Sequence, residues 1–206
     1  MTARPNSRFA SALRRFVENT AGVAAIEFAY MVPLLLLATF GTLEVARGVL
    51  MHKRYQRAGA MVGDLVAREK ALGTDQATAV AELNGIMASA QHVMKPFSTA
   101  TLKVGVMSIR AKSNDATNTK IEWSYAYQGQ SVPAQCATKA MPASGMITQG
   151  NAAIVVETQY TYTPLLANLI PGFTNAITWT DAITHSPRNS CVNYAGQNCV
   201  LTCPGW

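Results

Sequence analysis

The longest unbroken pattern in the chain is apolar. From position 23 to 43 every residue is apolar, small or weakly polar except Glu27. That is about the twenty residues an α-helix needs to cross a hydrocarbon core roughly 30 Å thick. Pro33 falls inside the run; it would cost about 3 kcal/mol in a soluble helix but is tolerated in membrane helices, so a bend is expected there. Beyond Leu43 the helical period continues. Val45, Val49, His52, Gln56, Gly59, Gly63 and Val66 form a weakly apolar stripe, widened by Leu50, Met61 and Leu65. Gly59 and Gly63 lie past the apolar run, so their spacing predicts close packing against a folded domain and not a dimer within the membrane. Leu72, Gly73 and Thr74 break the pattern. Thr74 is the expected N-cap of a second helix with Asp75 in its first turn, and Ala77, Val80, Ala81, Leu83, Ile86, Met87 and Ala90 its expected buried side. That helix should stop before Lys95-Pro96.

The period then changes from helical to alternating. Positions 101–110 are β-rich but mixed. Positions 120–128 alternate, with Ile121, Trp123, Tyr125 and Tyr127 on one face and Glu122, Ser124, Ala126 and Gln128 on the other, more polar one. Positions 153–163 place Ile154, Val156, Thr158, Tyr160 and Tyr162 together, and positions 176–184 do the same with Ile177, Trp179 and Ile183. Four strands with one apolar face each make an antiparallel sheet that needs a cover. The helical stripe and the second helix are the only covers the pattern offers. The expected fold is therefore α+β, a long N-terminal transmembrane helix extending into a domain in which a second helix packs on a four-stranded antiparallel sheet. Between the second and third strands, positions 129–150 form a loop long enough to be functional or pinned.

Composition narrows the class. Apolar residues are 49% of the chain and charged ones 14%, with a net charge of +6. The cations are scattered: Arg4, Arg8, Arg14 and Arg15 precede the apolar run, and Arg47, Lys53, Arg54 and Arg57 follow it. Flanking charges of this kind read as membrane-surface anchors, and no basic stripe interleaved with aromatics supports nucleic-acid binding. Both flanks are basic, so charge alone does not orient the chain. Cysteine usage does. Cys136, Cys191, Cys199 and Cys203 all lie far downstream, without C-x-x-C spacing, which fits disulfides in the periplasm or outside the cell. Four cysteines allow three pairings, and all three stay open.

The basic leader and apolar run also resemble a secretory signal peptide, but the run is long and closes on no good cleavage site. The division expected is a basic cytoplasmic leader at 1–22, a transmembrane helix at 23–43 and an exported domain at 44–206, its cysteine-containing tail at 186–206. Signals for catalysis are absent: there is no phosphate-binding glycine loop, nucleophile elbow or H-E-x-x-H. His185 near Cys191 is better read as a strand-end histidine than as a metal ligand. No metal or cofactor is implied.

A carboxylate one turn into an apolar run is costly, on the order of 2.5–3.5 kcal/mol at mid-membrane on insertion scales, so Glu27 calls for a reason. If a peptidase cut after Gly22, the chain would begin at Val23 with an ammonium group one turn from Glu27. The same carboxylate could then neutralise a neighbour's terminus and set register between stacked helices. A basic leader, Gly22, four residues, Glu27, the aromatic Phe28 and an apolar helix resemble the processing site of type IV prepilins. More closely, positions 20–37, followed by Phe40, Gly41 and Glu44, resemble the TadE-like family, minor pseudopilins of the tight-adherence (Flp) pilus assembly system, with a weaker echo at 155–166. The resemblance implies a pilin-like domain, anchorage in inner-membrane lipid with the N-terminus cytoplasmic, a prepilin peptidase acting between Gly22 and Val23, and other pilins and pseudopilins as partners. It makes Glu27 and Phe28 the residues of recognition and subunit register. The rival readings are a signal-anchored periplasmic binding domain unrelated to pili and a secreted disulfide-stabilised enzyme.

Overall fold

The computed structural model describes residues 11, 14–15, 21–165, 176–199 and 203. The chain divides into two compact units, Met1–Arg47 and Gly48–Trp206. Helix α1, Ala21–Arg68, contributes to both and continues through Pro33. The hydroxyls of Thr39 and Thr42 donate to the carbonyls of Leu35 and Ala38, each at 2.7 Å, so the helix satisfies its own polar side chains within the apolar run. The expected leader lies almost wholly outside the described residues.

After α1 come a two-residue strand, β1 (Ala71–Leu72), and Gly73, whose φ of +62° suits glycine. Helix α2 (Gln76–Met94) follows. Its N-cap is Asp75, one residue later than the expected Thr74. The Asp75 carboxylate accepts the Thr78 N–H at 3.0 Å, and the Thr78 hydroxyl accepts the Asp75 N–H at 3.1 Å. This reciprocal box explains the shift: only Asp75 reaches the third helical amide. The Thr78 N–H holds the Asp75 carboxyl below its ordinary range. Its contribution to stability is therefore complete above the unfolded carboxylate pKa and is lost as pH falls through the lowered folded value. Asp75→Ala should remove that acid-sensitive component, and comparing the acid unfolding curves of variant and parent checks it. α2 ends at Met94, before Lys95-Pro96, as expected.

Strands β2 (Lys103–Lys112), β3 (Asp115–Tyr127), β4 (Ala152–Tyr162) and β5 (Ile177–His185) form the expected antiparallel sheet in the order β3-β2-β4-β5. A final short strand, β6 (Asn193–Tyr194), pairs parallel with β1 and ties the tail back to the end of α1.

The helix-facing core joins Met51, Tyr55, Ala58, Val62 and Val66 of α1 with Leu83, Met87 and Met94 of α2. Val104, Val106, Trp123, Tyr125, Ile154, Val156 and Tyr160 supply the sheet side. Two expected stripes are corrected here. On α1, Gly59, Gly63 and Val66 are buried as expected, but Val45, Val49 and Gln56 are exposed and the contact line runs through Met51, Tyr55 and Val62. On α2, Ala77 and Ala81 face solvent, Val80 and Ile86 are half-buried, and Ala79, Leu83, Met87, Ala90 and Met94 are buried. Small residues carry little preference for either side, so the long side chains set the rotation of each helix.

Tyr55 is fully buried, and its hydroxyl donates to the Thr158 carbonyl at 2.7 Å while accepting from the Thr158 hydroxyl at 2.9 Å. Burial pushes its pKa up to about 12. The close packing expected at Gly59 and Gly63 is present. A Cβ on Gly59 would come within 3.1 Å of Thr158 Cγ2, and one on Gly63 would collide with the His185 ring.

The second face of the sheet was expected to be polar and is instead covered. Ser108 pairs with Trp123 and Ile109 with Ile121, leaving Glu122 as the extra residue of a β-bulge. The bulge moves Ile121 off the Trp123 face and into a second cluster with Met107, Ile109 and Val155. The loop at 129–150 supplies the cover. Met141 packs on that cluster, Ile147 joins Ala111 and Ala153, and Lys139 pairs with Glu157 at 2.6 Å. The same loop bonds to the β3 edge, where the Ile121 N–H donates to the Ala137 carbonyl and the Cys136 N–H to that of Ile121. Disulfides join Cys136 to Cys203 and Cys191 to Cys199, which decides among the three open pairings.

Candidate membrane and assembly segment

Within α1 the segment that carries the sequence signal is apolar and uncovered. Phe28 is 67% exposed and Leu34 68%, and Val23, Ile26, Tyr30, Met31, Leu35, Leu36, Leu37, Phe40 and Leu43 are all exposed. α1 is long and apolar enough to cross a membrane, and none of its most apolar window is buried. An apolar surface of this extent on every side of a helix is unsuited to water. Lipid or a layer of other apolar helices suits it better.

Gly22, Val23 and Glu27 all lie on this exposed stretch. Positions 23 and 27 are four apart and so occupy one face, about 6 Å along the axis. Glu27 is therefore accessible to a neighbouring chain and belongs to no described ion pair. Phe28 projects one residue further round the helix. Pro33 lies just over one turn beyond, where its missing N–H leaves the carbonyl of residue 29 without its usual helical donor.

Among the described residues no three His, Cys, Asp or Glu side chains gather as metal ligands. His185 packs against Gly63, and Cys191 is committed to its disulfide, so the pair considered as ligands is not available as one. Sequence reading missed one buried polar centre. Glu122 is 6% exposed; it accepts the Ser108 hydroxyl at 2.5 Å and pairs with Arg110, whose guanidinium also donates to the Gly150 carbonyl at 2.6 Å. Alternation placed Glu122 on an outer polar face, and nothing in the local residue pattern announces the bulge that turns it inward. Nearby, the Trp123 indole N–H donates to the Val192 carbonyl at 2.9 Å and its ring stacks on Tyr194. Together these contacts fasten the loop and the tail to the sheet.

No curated protein and no solved structure matches the chain. Residues 22–62 match the family model described as TadE-like protein. The match opens on Gly22, takes in Glu27, Phe28 and the apolar run, and ends on the buried Val62. The likeness to the TadE-like family is thus confined to the long helix.

Proposed function

We propose that the protein is a non-enzymatic minor pseudopilin that acts at the bacterial inner membrane in assembly of a tight-adherence (Flp) pilus and so supports surface attachment. One observation carries this reading: an uncovered apolar run at 23–43 whose one carboxylate, Glu27, stands five positions after Gly22, inside the TadE-like match. In this reading residues 1–22 are a cytoplasmic leader, 23–43 span the membrane, and 44–206 form a periplasmic pilin-like domain. The two disulfides support an exported domain, because such bonds persist in oxidising compartments.

The function assigned to each residue follows from its place on α1. A prepilin peptidase cuts between Gly22 and Val23, with Glu27 and Phe28 presented on the exposed helix for recognition. The new ammonium group and the helix N-terminus are both positive, and the Glu27 carboxylate of an adjacent pilin subunit neutralises them. Charge pairing in a low-dielectric surrounding fixes axial register even where its net stabilisation is small. The N-terminal sequence and mass of protein recovered from native membranes test the processing step. A chain beginning at Val23 is expected; one beginning at Met1 or Thr2 removes the ammonium partner of Glu27.

A further inference from the structure

We propose that the end of the folded domain where the chain enters at Gly48 is a lipid-facing surface that rests on anionic headgroups. The inference builds on the membrane reading of α1 but concerns a different part of the molecule. Register defines this end. Gly48 lies against Tyr162, with a Cβ there 3.7 Å from the tyrosine ring; Tyr162 pairs with Ile177, and Gln159 with Lys103. The Tyr160 hydroxyl donates to the Ser98 carbonyl at 2.8 Å, which brings in the turn after α2.

Apolar exposure in the domain concentrates here. Val49, Leu50, Leu165 and Ile177 are large apolar side chains exposed at this end, whereas Met146 is the one described at another site. Behind them Trp179 stacks on Tyr162 and Tyr160, an aromatic layer of the kind enriched at membrane–water interfaces.

Charge is sorted the same way. Segments 48–63, 95–104, 158–165 and 176–180 contain no Asp or Glu but carry Lys53, Arg54, Arg57, Lys95 and Lys103. Arg54 lies over the Phe97 ring at 5.6 Å, holding its charge beside this surface. Asp64, Glu69, Asp75, Glu82 and Asp115 lie toward the opposite end, where α1 finishes, α2 begins and the β2–β3 hairpin turns, while Glu44 and Asp181 border this one. An apolar rim at which five cations outnumber the two bordering carboxylates fits a surface of anionic lipid, which strengthens attachment roughly fivefold for each nearby Lys or Arg. Lipid is also close along the chain: Gly48 is five positions past Leu43, the last residue of the apolar run.

The test uses the full chain reconstituted in vesicles of phosphatidylethanolamine and phosphatidylglycerol with brominated acyl chains. The native cysteines are all disulfide-bonded, so Ile177→Cys, Leu35→Cys and Asn118→Cys each accept one fluorescent label. Leu50→Cys replaces Ile177→Cys should the strand variant fold poorly. Bromine should quench the label at 177 about half as strongly as at 35, because an interfacial contact sits roughly 5–10 Å into the headgroup–acyl boundary. Position 118 should be spared, and quenching at 177 alone should fall in phosphatidylcholine or high salt. Quenching at 35 with 177 behaving like 118 would overturn this surface and leave the membrane helix standing. No quenching at either position would overturn both. Energy transfer between copies labelled at 177, without lipid quenching, would assign the rim to a second copy and also overturn the proposal.

Discussion

Glu122→Ala should be among the most damaging single substitutions in the domain, with an expected loss of about 3–5 kcal/mol, the usual consequence of removing one partner from a buried ion pair. The cause is what remains. Arg110, 15% exposed, would keep its charge with only the Gly150 carbonyl to receive it, and the Ser108 hydroxyl would lose its acceptor. Against a typical total of about 5–15 kcal/mol, such a loss brings the domain near its unfolding threshold. Denaturant titration checks this as a lower midpoint at unchanged slope. Replacing Glu122 and Arg110 together by methionine should cost clearly less than Glu122→Ala alone, since no charge is then stranded. If the double variant is the worse of the two, the penalty comes from lost packing at the bulge and not from the orphaned guanidinium.

The two disulfides should differ in weight. Cys136–Cys203 spans 67 residues and Cys191–Cys199 spans 8. Loop-closure entropy then gives about 4 kcal/mol for the first and about 2.5 kcal/mol for the second. Cys136→Ser with Cys203→Ser should therefore lower the thermal midpoint more than Cys191→Ser with Cys199→Ser. The larger loop also has more to release. Cys136 sits where the loop bonds to the β3 edge through Ile121, so opening this bond frees both the loop cover and the tail. The smaller bond only closes a turn beside Val192, whose carbonyl still receives the Trp123 indole. Equal midpoints for the two double variants would show that contacts, and not chain entropy, hold the tail.

Long periodic stretches made most of this fold legible in the sequence. The alternation of Ile154, Val156, Tyr160 and Tyr162 specified β4 and its helix-facing side, and the change of period after Lys95-Pro96 separated helices from sheet. What escaped depends on single residues or on distant partners. One extra residue at Glu122 turns Ile121 through the sheet, and alternation has no way to register that insertion. The rotation of α1 was misjudged because Gly59 and Gly63 mark the closest approach while Met51, Tyr55 and Val62 carry the burial. The disulfide pairing depends on where the loop and the tail meet, which no spacing encodes. The stretch that matches the TadE-like family model was the most legible feature, because Gly22, Glu27 and Phe28 lie close together on one helix and their spacing is their geometry.

The account rests on Glu27 acting between chains and not within one, and a single comparison tests this. Surface pili should be counted by electron microscopy in the native host carrying Glu27→Ala, beside the parent and a variant with positions 23–43 scrambled at constant hydrophobicity. The Glu27→Ala protein should reach the membrane at parental levels, since its carboxylate belongs to no described ion pair and its loss makes the helix more apolar. Pili should nonetheless be lost or severely reduced, as in the scrambled variant. Normal piliation with either variant would contradict the account, and the apolar helix would then be a tether for a periplasmic domain with another task.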